Sequence, residues 1–312
     1  MTTTSAAKPP RVRKPRKRST RLTRSDRIWL TVLLGVPALV VVGLVWLPAL
    51  GTVALSATNW DGFEPLGDAK FVGLDNFRQV ATNYPPFWPA LQHNLIWLFV
   101  TFAIPTILGM FIAVLLDREL RFTRLYQSAF FLPVVLSLAL VGFIWQLIYS
   151  RDQGLLNAVL GLHGDRAIDW YGDARVNLWA VLVASSWRHT GYIMLLYLAG
   201  LKAVDPSLRE AAAMDGASQT RTFFSVVFPV MRPINIIVLV VTVIESLRAF
   251  DLVWVINKGR NGLELIGALV FSNIVGEGQR IPFGSALATI MLVISVVFIV
   301  FYMIAIMREE KR

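Results

Sequence analysis

Residues 28–57 read "IWLTVLLGVPALVVVGLVWLPALGTVALSA" and contain no charged side chain. A helix needs about 20 predominantly apolar residues to cross the hydrocarbon core of a bilayer, so this run spans with residues to spare. It is too long for the apolar part of a secretory signal. Although "ALSA" from Ala54 imitates a small-residue cleavage site, the run is expected to remain in the mature chain. The whole sequence agrees with a membrane as its solvent: 55% of the 312 residues are hydrophobic, mean hydropathy is +0.59, and one soluble core cannot bury that much apolar surface.

Outward from this run, five more stretches have the length and character of spans. Pro85–Leu116, with the span near 88–116, is interrupted only by His93, and Leu125–Ser150 is uncharged. Val176–Leu201 holds Arg188 and His189, Pro233–Asn257 holds Glu245, Arg248 and Asp251, and Ile281–Met307 is uncharged. Leu263–Gly276 is apolar but carries Glu264 and is too short to span, which suits an interfacial or re-entrant piece. The expected fold class is an all-α membrane protein with six transmembrane helices. A basic tail occupies 1–27, and a transmembrane domain occupies 28–312.

Lys and Arg near helix ends are retained in the cytoplasm and set the orientation. The tail before Ile28 has ten, the Asp117–Arg124 loop three, the Lys202–Arg232 loop four and the C-terminus three, against two, three and three in the alternate loops. Both termini are therefore expected inside. The formal charge of +10 sits almost entirely in the tail, where Asp26 is the single acid. That segment has no aromatic side chain to stack on bases, so it is expected to lie against anionic lipid headgroups, with no nucleic-acid partner. The chain has no cysteine, which excludes disulfides and thiol chemistry.

The loops Thr58–Tyr84, Arg151–Arg175 and Lys258–Arg280 are too short for a core of their own. Trp60, Trp88, Trp170 and Trp179 fall near helix ends, where they suit the headgroup region. The loop 202–232, opening "KAVDPSLREAAAMDGASQTRTFFSVVFPVMR", is longer and patterned. Asp205 before Pro206 is an N-cap with proline at the first helical position, "SLREAAAM" favours helix, and Gly216 ends it. A second short helix then fits "ASQTRTFFSVVF" before Pro229 and Pro233.

"EAAAMDGA" followed by "VVFP" resembles the EAA motif of inner-membrane permease subunits of binding-protein-dependent ABC importers. Glu210, Ala211, Ala212, Gly216, Val226 and Pro229 match the pattern, with Val226 and Phe228 standing where the family usually has isoleucine and leucine. "FVGLDNFRQV" from Phe71, "FFLPVV" from Phe130, "GLLN" from Gly154, "WRHTGYIMLLYLAGL" from Trp187 and "LRAFDLVWVIN" from Leu247 are similar to stretches of the maltose-type carbohydrate branch, in the expected order. After Asn257 the usual Gly-Gly-Pro turn is replaced by "KGRNGLE". The resemblance implies the type I ABC importer permease fold in a bacterial plasma membrane. It implies a second homologous permease, a cytoplasmic ABC ATPase dimer and an extracytoplasmic solute-binding protein as partners, and a sugar or oligosaccharide as substrate. In the coupling loop, Glu210 would be the polar docking contact, Ala211 and Ala212 the close-packed face, Gly216 the bend, and Asp215 and Pro229 further members of the motif.

No G-x-x-x-x-G-K-[ST] loop is present, so ATP and magnesium are expected in the partner ATPase; this chain is expected to carry neither cofactor nor catalytic residue. His93, His163 and His189 are isolated and have no metal-ligand spacing. Transport needs polar groups along a path, and ionisable residues within spans are the place to look. Arg188 lies about 18 Å into the fourth span at 1.5 Å per residue, and Glu245 is equally deep in the fifth, so an ion pair between them is expected. Arg248 and Asp251 would continue one face of the fifth helix. Trp145, Gln146, Trp187 and Asn273 are further candidates for contact with sugar. Importers of glycerol phosphate or another polyol would carry the same motifs. A secondary transporter driven through Glu245 and Asp251 would need no docking loop and would show internal repeats, which are not seen here. A non-transporting scaffold would have no use for polar residues at mid-depth.

Overall fold

Thr23 opens the first helix by a reciprocal cap: its hydroxyl accepts from the Asp26 N–H at 3.1 Å, and the Asp26 carboxylate accepts from the Thr23 N–H at 2.9 Å. Helix α1 (Arg24–Leu55) contains Pro37 and then runs through a π-turn at Val42–Trp46. The computed structural model describes residues 23–60, 62–63, 65–118, 121–276 and 278–310; most of the basic tail lies outside them. Met1–Gly51 and Thr52–Arg312 are two separate packing units, and the second contains all the later helices.

The axis of this second unit is a pair of long helices, α3 (Phe87–Asp117) and α7 (Asn177–Ala203), its most extensively packed pair. The short helix α2 (Asp75–Asn83) precedes α3. On α3 the buried positions Ala90, Asn94, Trp97, Thr101, Pro105, Gly109 and Ala113 recur every three or four residues, so they form one stripe, and its lower half is small. Small residues let backbones approach. A Cβ at Gly109 would stand 2.8 Å from Ile193 Cγ2 and 2.9 Å from the Met194 nitrogen. Helix α7 buries 16 of its 27 residues, among them Asn177, Ser186, His189 and Thr190. Its surroundings are largely protein, which is how a helix tolerates such polarity.

Among the described residues, three helices, α1, α3 and α13 (Ile281–Glu310), are long and apolar enough to cross a membrane, and two bent helix pairs raise the number to five if each is one span. Helix α7 has the length, but Arg188 and His189 lower its apolarity. The straight third span expected over 125–150 is broken: α4 (Thr123–Val135) and α5 (Leu138–Ile148) meet at 100°. Leu136 is extended at φ −69°, ψ 141°, and Ser137 starts the new helix by accepting from the Leu140 N–H at 3.2 Å. A short α6 (Leu155–Val159) follows in the next loop.

The fifth expected span is also interrupted. Helix α8 (Pro206–Met214) leads to α9 (Gln219–Val230), which meets the following segment at 72°. That segment divides into α10 (Arg232–Leu247) and α11 (Asp251–Asn257), with Phe250 at φ −138°, ψ −57°. Arg248 and Asp251 thus flank a break and do not continue one helical face, as i+3 spacing in an unbroken helix would require. Leu263–Gly276 supplies α12 (Ile266–Ile274), whose Ile266, Ala268, Leu269 and Asn273 are buried and which packs on α13 and α3.

At the end of the bundle opposite residues 202–232, asparagines tie the loops. Asn76 donates to the Ser56 and Thr58 carbonyls, both at 2.8 Å. Asn157 donates to the carbonyls of Arg151 and Ile168 and accepts from Trp170 Nε1, all at 2.9 Å. Asn257 donates to the Tyr171 and Arg260 carbonyls at 3.0 and 2.7 Å and accepts from the Gly259 N–H at 3.1 Å. The "KGRNGLE" turn that departs from the family pattern is built around this last side chain, with Lys258, Gly259, Asn261 and Gly262 all at positive φ.

Candidate functional site

The 202–232 segment folds as its sequence dictates. The Asp205 carboxylate accepts from the Ser207 N–H at 2.9 Å, an arrangement that holds its pKa below the ordinary 3.8, and Pro206 occupies the first turn. Helix α8 closes with Gly216 at φ +77°, its N–H donating to the Ala213 carbonyl and that of Ala217 to Ala212, both at 3.0 Å. Ser218 then caps α9 by accepting from the Arg221 N–H at 3.3 Å. The result is a helical hairpin bent at one glycine.

Its faces divide sharply. Glu210, Ala211, Asp215, Gly216 and Pro229 are exposed, whereas Ala212 is buried against its own chain. The expected pair Ala211–Ala212 is therefore not one outward face. Met214, one turn beyond Glu210, is 88% exposed and Phe224 is 62% exposed. Neither stood out in the sequence, although the i+4 spacing from Glu210 to Met214 was available to indicate it. Beneath the hairpin, Asp117 at the end of α3 lies 2.7 Å from Arg209 Nη1 and 3.2 Å from Lys202 Nζ, and Arg209 Nη2 also donates to the Leu201 carbonyl at 3.2 Å. A cleft of about 500 Å³ opens there between Asp117, Arg118, Arg209, Gln219 and Phe223.

At the break between α10 and α11, the four ionisable candidates converge on a partly open groove, with Arg188 half-buried and Glu245, Arg248 and Asp251 exposed. Arg188 on α7, Glu245 on α10, and Arg248 and Asp251 at the break line one cavity of about 130 Å³ with Trp97, Thr101, Ser185 and His189. Arg188 and Glu245 share it without forming the expected ion pair, and Arg188 Nε is buried with no partner. His189 Nε2 lies 3.0 Å from the Thr242 hydroxyl and joins α7 to α10.

The weaker candidates separate into two kinds. Trp187 meets Trp145 edge to face at 5.8 Å, Trp145 lies 4.9 Å from the Tyr149 ring, and Tyr149 stacks on Trp170 at 6.0 Å, forming an aromatic row. Gln146 instead uses its amide on its own chain, donating to the Val255 and Ile256 carbonyls at 2.7 and 2.8 Å. Asn273 donates to the Tyr84 hydroxyl at 3.0 Å and the Leu269 carbonyl at 2.8 Å. Both hold α11 and α12 in place. Among the described residues, no group of three His, Asp or Glu side chains could hold a metal.

An all-helical bundle with a polar groove among its helices and an exposed helical hairpin at one end has the parts of a transport permease. Residues 95–310 match the binding-protein-dependent transport system inner membrane components, and the chain belongs to that family. It is a multi-pass inner-membrane permease of a binding-protein-dependent ABC importer. Among its relatives, the xylose/arabinose import permease of Haloferax volcanii is 32% identical over 78% of this chain and 76% of its own. A trehalose/maltose transport system permease of Thermococcus litoralis is 30% identical over 85% and 88%. The fold is that of a bacterial alginate ABC transporter solved in complex with its alginate pentasaccharide-bound periplasmic protein, at a TM-score of 0.75, covering 89% of this chain and 93% of that one, with 17% identity.

Proposed function

We propose that this permease carries a sugar or oligosaccharide across the inner membrane, and that the hairpin 202–232 couples it to a cytoplasmic ATPase. The observation that carries the coupling assignment is the outward set Glu210, Ala211, Met214, Asp215 and Gly216 on a hairpin whose inner side is packed on its own chain. A docking surface needs a shape fixed before the partner arrives, and the caps at Asp205, Gly216 and Ser218 supply it. The chain crosses the membrane six times with both termini in the cytoplasm. Helix α7 is one crossing, α4 with α5 makes another and α10 with α11 a third, α9 belonging to the cytoplasmic hairpin.

A second homologous permease completes the pathway, an extracytoplasmic binding protein delivers substrate to the asparagine-tied loops, and ATP with magnesium is consumed in the ATPase dimer. ATP-driven closure would draw the docked hairpins together and switch the cavity between its two openings. The relatives that import pentoses, trehalose and maltose support carbohydrate as the substrate class. A polyol or glycerol phosphate would use the same architecture.

The test is uptake by proteoliposomes holding the full complex. Gly216→Pro and Glu210→Lys are expected to abolish substrate-stimulated uptake while membrane insertion stays intact; unchanged uptake refutes the coupling role. Single cysteines introduced at Met214 and Asp152 into this cysteine-free chain should label from opposite sides of the membrane. Binding of labelled sugars to the partner binding protein decides the substrate.

A further inference from the structure

Asp117 is the last residue of α3, the negative end of a 31-residue helix, and its side chain is only 11% exposed. A carboxylate there is opposed by the helix dipole and by partial desolvation, so it requires cations. Two are present, and they differ in kind. Lys202 extends from the last turn of α7 with its side chain 52% exposed, a screened pair of the sort that contributes little. Arg209 comes from the hairpin. One of its nitrogens donates to Asp117 Oδ2 at 2.7 Å, and another donates to the carbonyl of Leu201 at 3.2 Å, near the C-terminus of α7. A guanidinium fixes two acceptors in one plane, which an ammonium cannot do.

We infer that Arg209, held by Asp117 and the Leu201 carbonyl, is a positioning residue that locks the hairpin to the ends of the two axial helices, so that displacement of the hairpin is delivered to α3 and α7. The inference rests on the proposed coupling role of the hairpin. Glu210, the neighbouring residue, points outward while Arg209 is half-buried beneath it. Helix α8 is a short lever of nine residues. The hairpin's apolar anchoring reaches the same two helices: Val227 and Met231 sit in one cluster with Ala113 and Leu116 of α3 and with Ile193 and Leu198 of α7. That contact keeps the hairpin attached when the polar clamp is removed, but apolar surfaces can slide where a guanidinium held at once by a carboxylate and a carbonyl cannot.

The permease is reconstituted with its ATPase, second permease and binding protein, and ATP turnover and uptake are measured with and without substrate. Arg209→Gln leaves Asp117 neutralised by Lys202, so the subunit is expected to fold and retain its ATPase on purification. Its substrate-stimulated turnover and uptake should fall about tenfold, within the range of ordinary coupling energies, with basal turnover unchanged. Lys202→Gln removes the other cation and should cost less than about twofold.

Equal losses in the two variants would mean that Asp117 needs only charge, and would overturn the inference, as would full stimulation in Arg209→Gln. Loss of the ATPase from the Arg209→Gln complex would make Arg209 a docking contact and overturn it as well. If that variant does not accumulate folded, Arg209→Lys keeps the charge and loses the fork: uncoupling supports the clamp and normal coupling refutes it. Glu210→Lys, measured alongside, reports on docking itself, so wild-type uptake there refutes the coupling hairpin whatever Arg209 does.

Discussion

Gly216 isolates one physical term. Its φ is +77°, and a Cβ built on it meets nothing within 4 Å. Within this chain, substitution therefore changes the backbone energy and no side-chain contact. An L-residue held in the left-handed region costs about 1–2 kcal/mol, which is a factor of about 5–30 in the population of the bent hairpin. Asparagine, which tolerates this region, should cost least, and a β-branched residue most. Proline lies beyond the series, because its φ is locked near −65° and it lacks the N–H that Gly216 donates to the Ala213 carbonyl at 3.0 Å.

The expected order of substrate-stimulated uptake in the reconstituted complex is glycine, asparagine, alanine, valine, proline. Titration with ATPase should show the intermediate variants recovering at high ATPase concentration, since binding can repay a conformational deficit of this size. Valine at wild-type uptake, or asparagine as poor as valine, would refute the claim that the bend's backbone energy sets coupling.

Gly109→Ala should lower the thermal stability of the detergent-solubilised protein by about 1–3 kcal/mol, because the new methyl meets the Met194 backbone at 2.9 Å. Gln146→Leu orphans the carbonyls of Val255 and Ile256 and should cost about 1–2 kcal/mol in the same assay, while leaving substrate affinity of the complex unchanged. Arg188→Glu combined with Glu245→Arg should transport no better than the worse single variant, since no ion pair joins these residues. Asp205→Ala should raise amide exchange across α8; because its pKa is held below the usual value, the cap is fully present at neutral pH and is lost only as acid protonates the carboxylate.

Residue patterns revealed what is local. The cap and breakers at Asp205, Pro206 and Gly216 act on their own backbone within a few positions, so the hairpin was readable down to its bend, whereas the caps at Thr23 and Ser218 emerged only from the structure. The interruption at 136–137 was hidden because Pro133 and Ser137 are the only non-aliphatic, non-aromatic signals in "FFLPVVLSLAL", and hydropathy carries no information about direction. The interruption at 248–250 was hidden for a different reason: "SLRAFDL" contains neither glycine nor proline. The polarity of α7 was legible, but its cause, enclosure on most sides, is a tertiary fact. Gln146 and Asn273 looked like ligands for sugar because amides serve equally to bind a ligand and to tie a helix end, and only the acceptors they reach distinguish the two.

The break between α10 and α11 joins fold to transport. Irregular backbone at membrane depth is tolerated only inside protein or against a water-filled cavity, because lipid cannot satisfy the freed peptide groups. Here the break lies on the wall of the groove that also receives Arg188 and Glu245, whose open side leaves Glu245, Arg248 and Asp251 exposed on this chain, so the freed peptide groups and the charges share one face. The lining holds two guanidinium groups and two carboxylates. These charges balance, so the groove as a whole offers both donors and acceptors to a hydroxyl-rich solute. That mixture of donors and acceptors is compatible with a carbohydrate, and neutral and uronic oligosaccharides compared on the binding protein would separate the two classes.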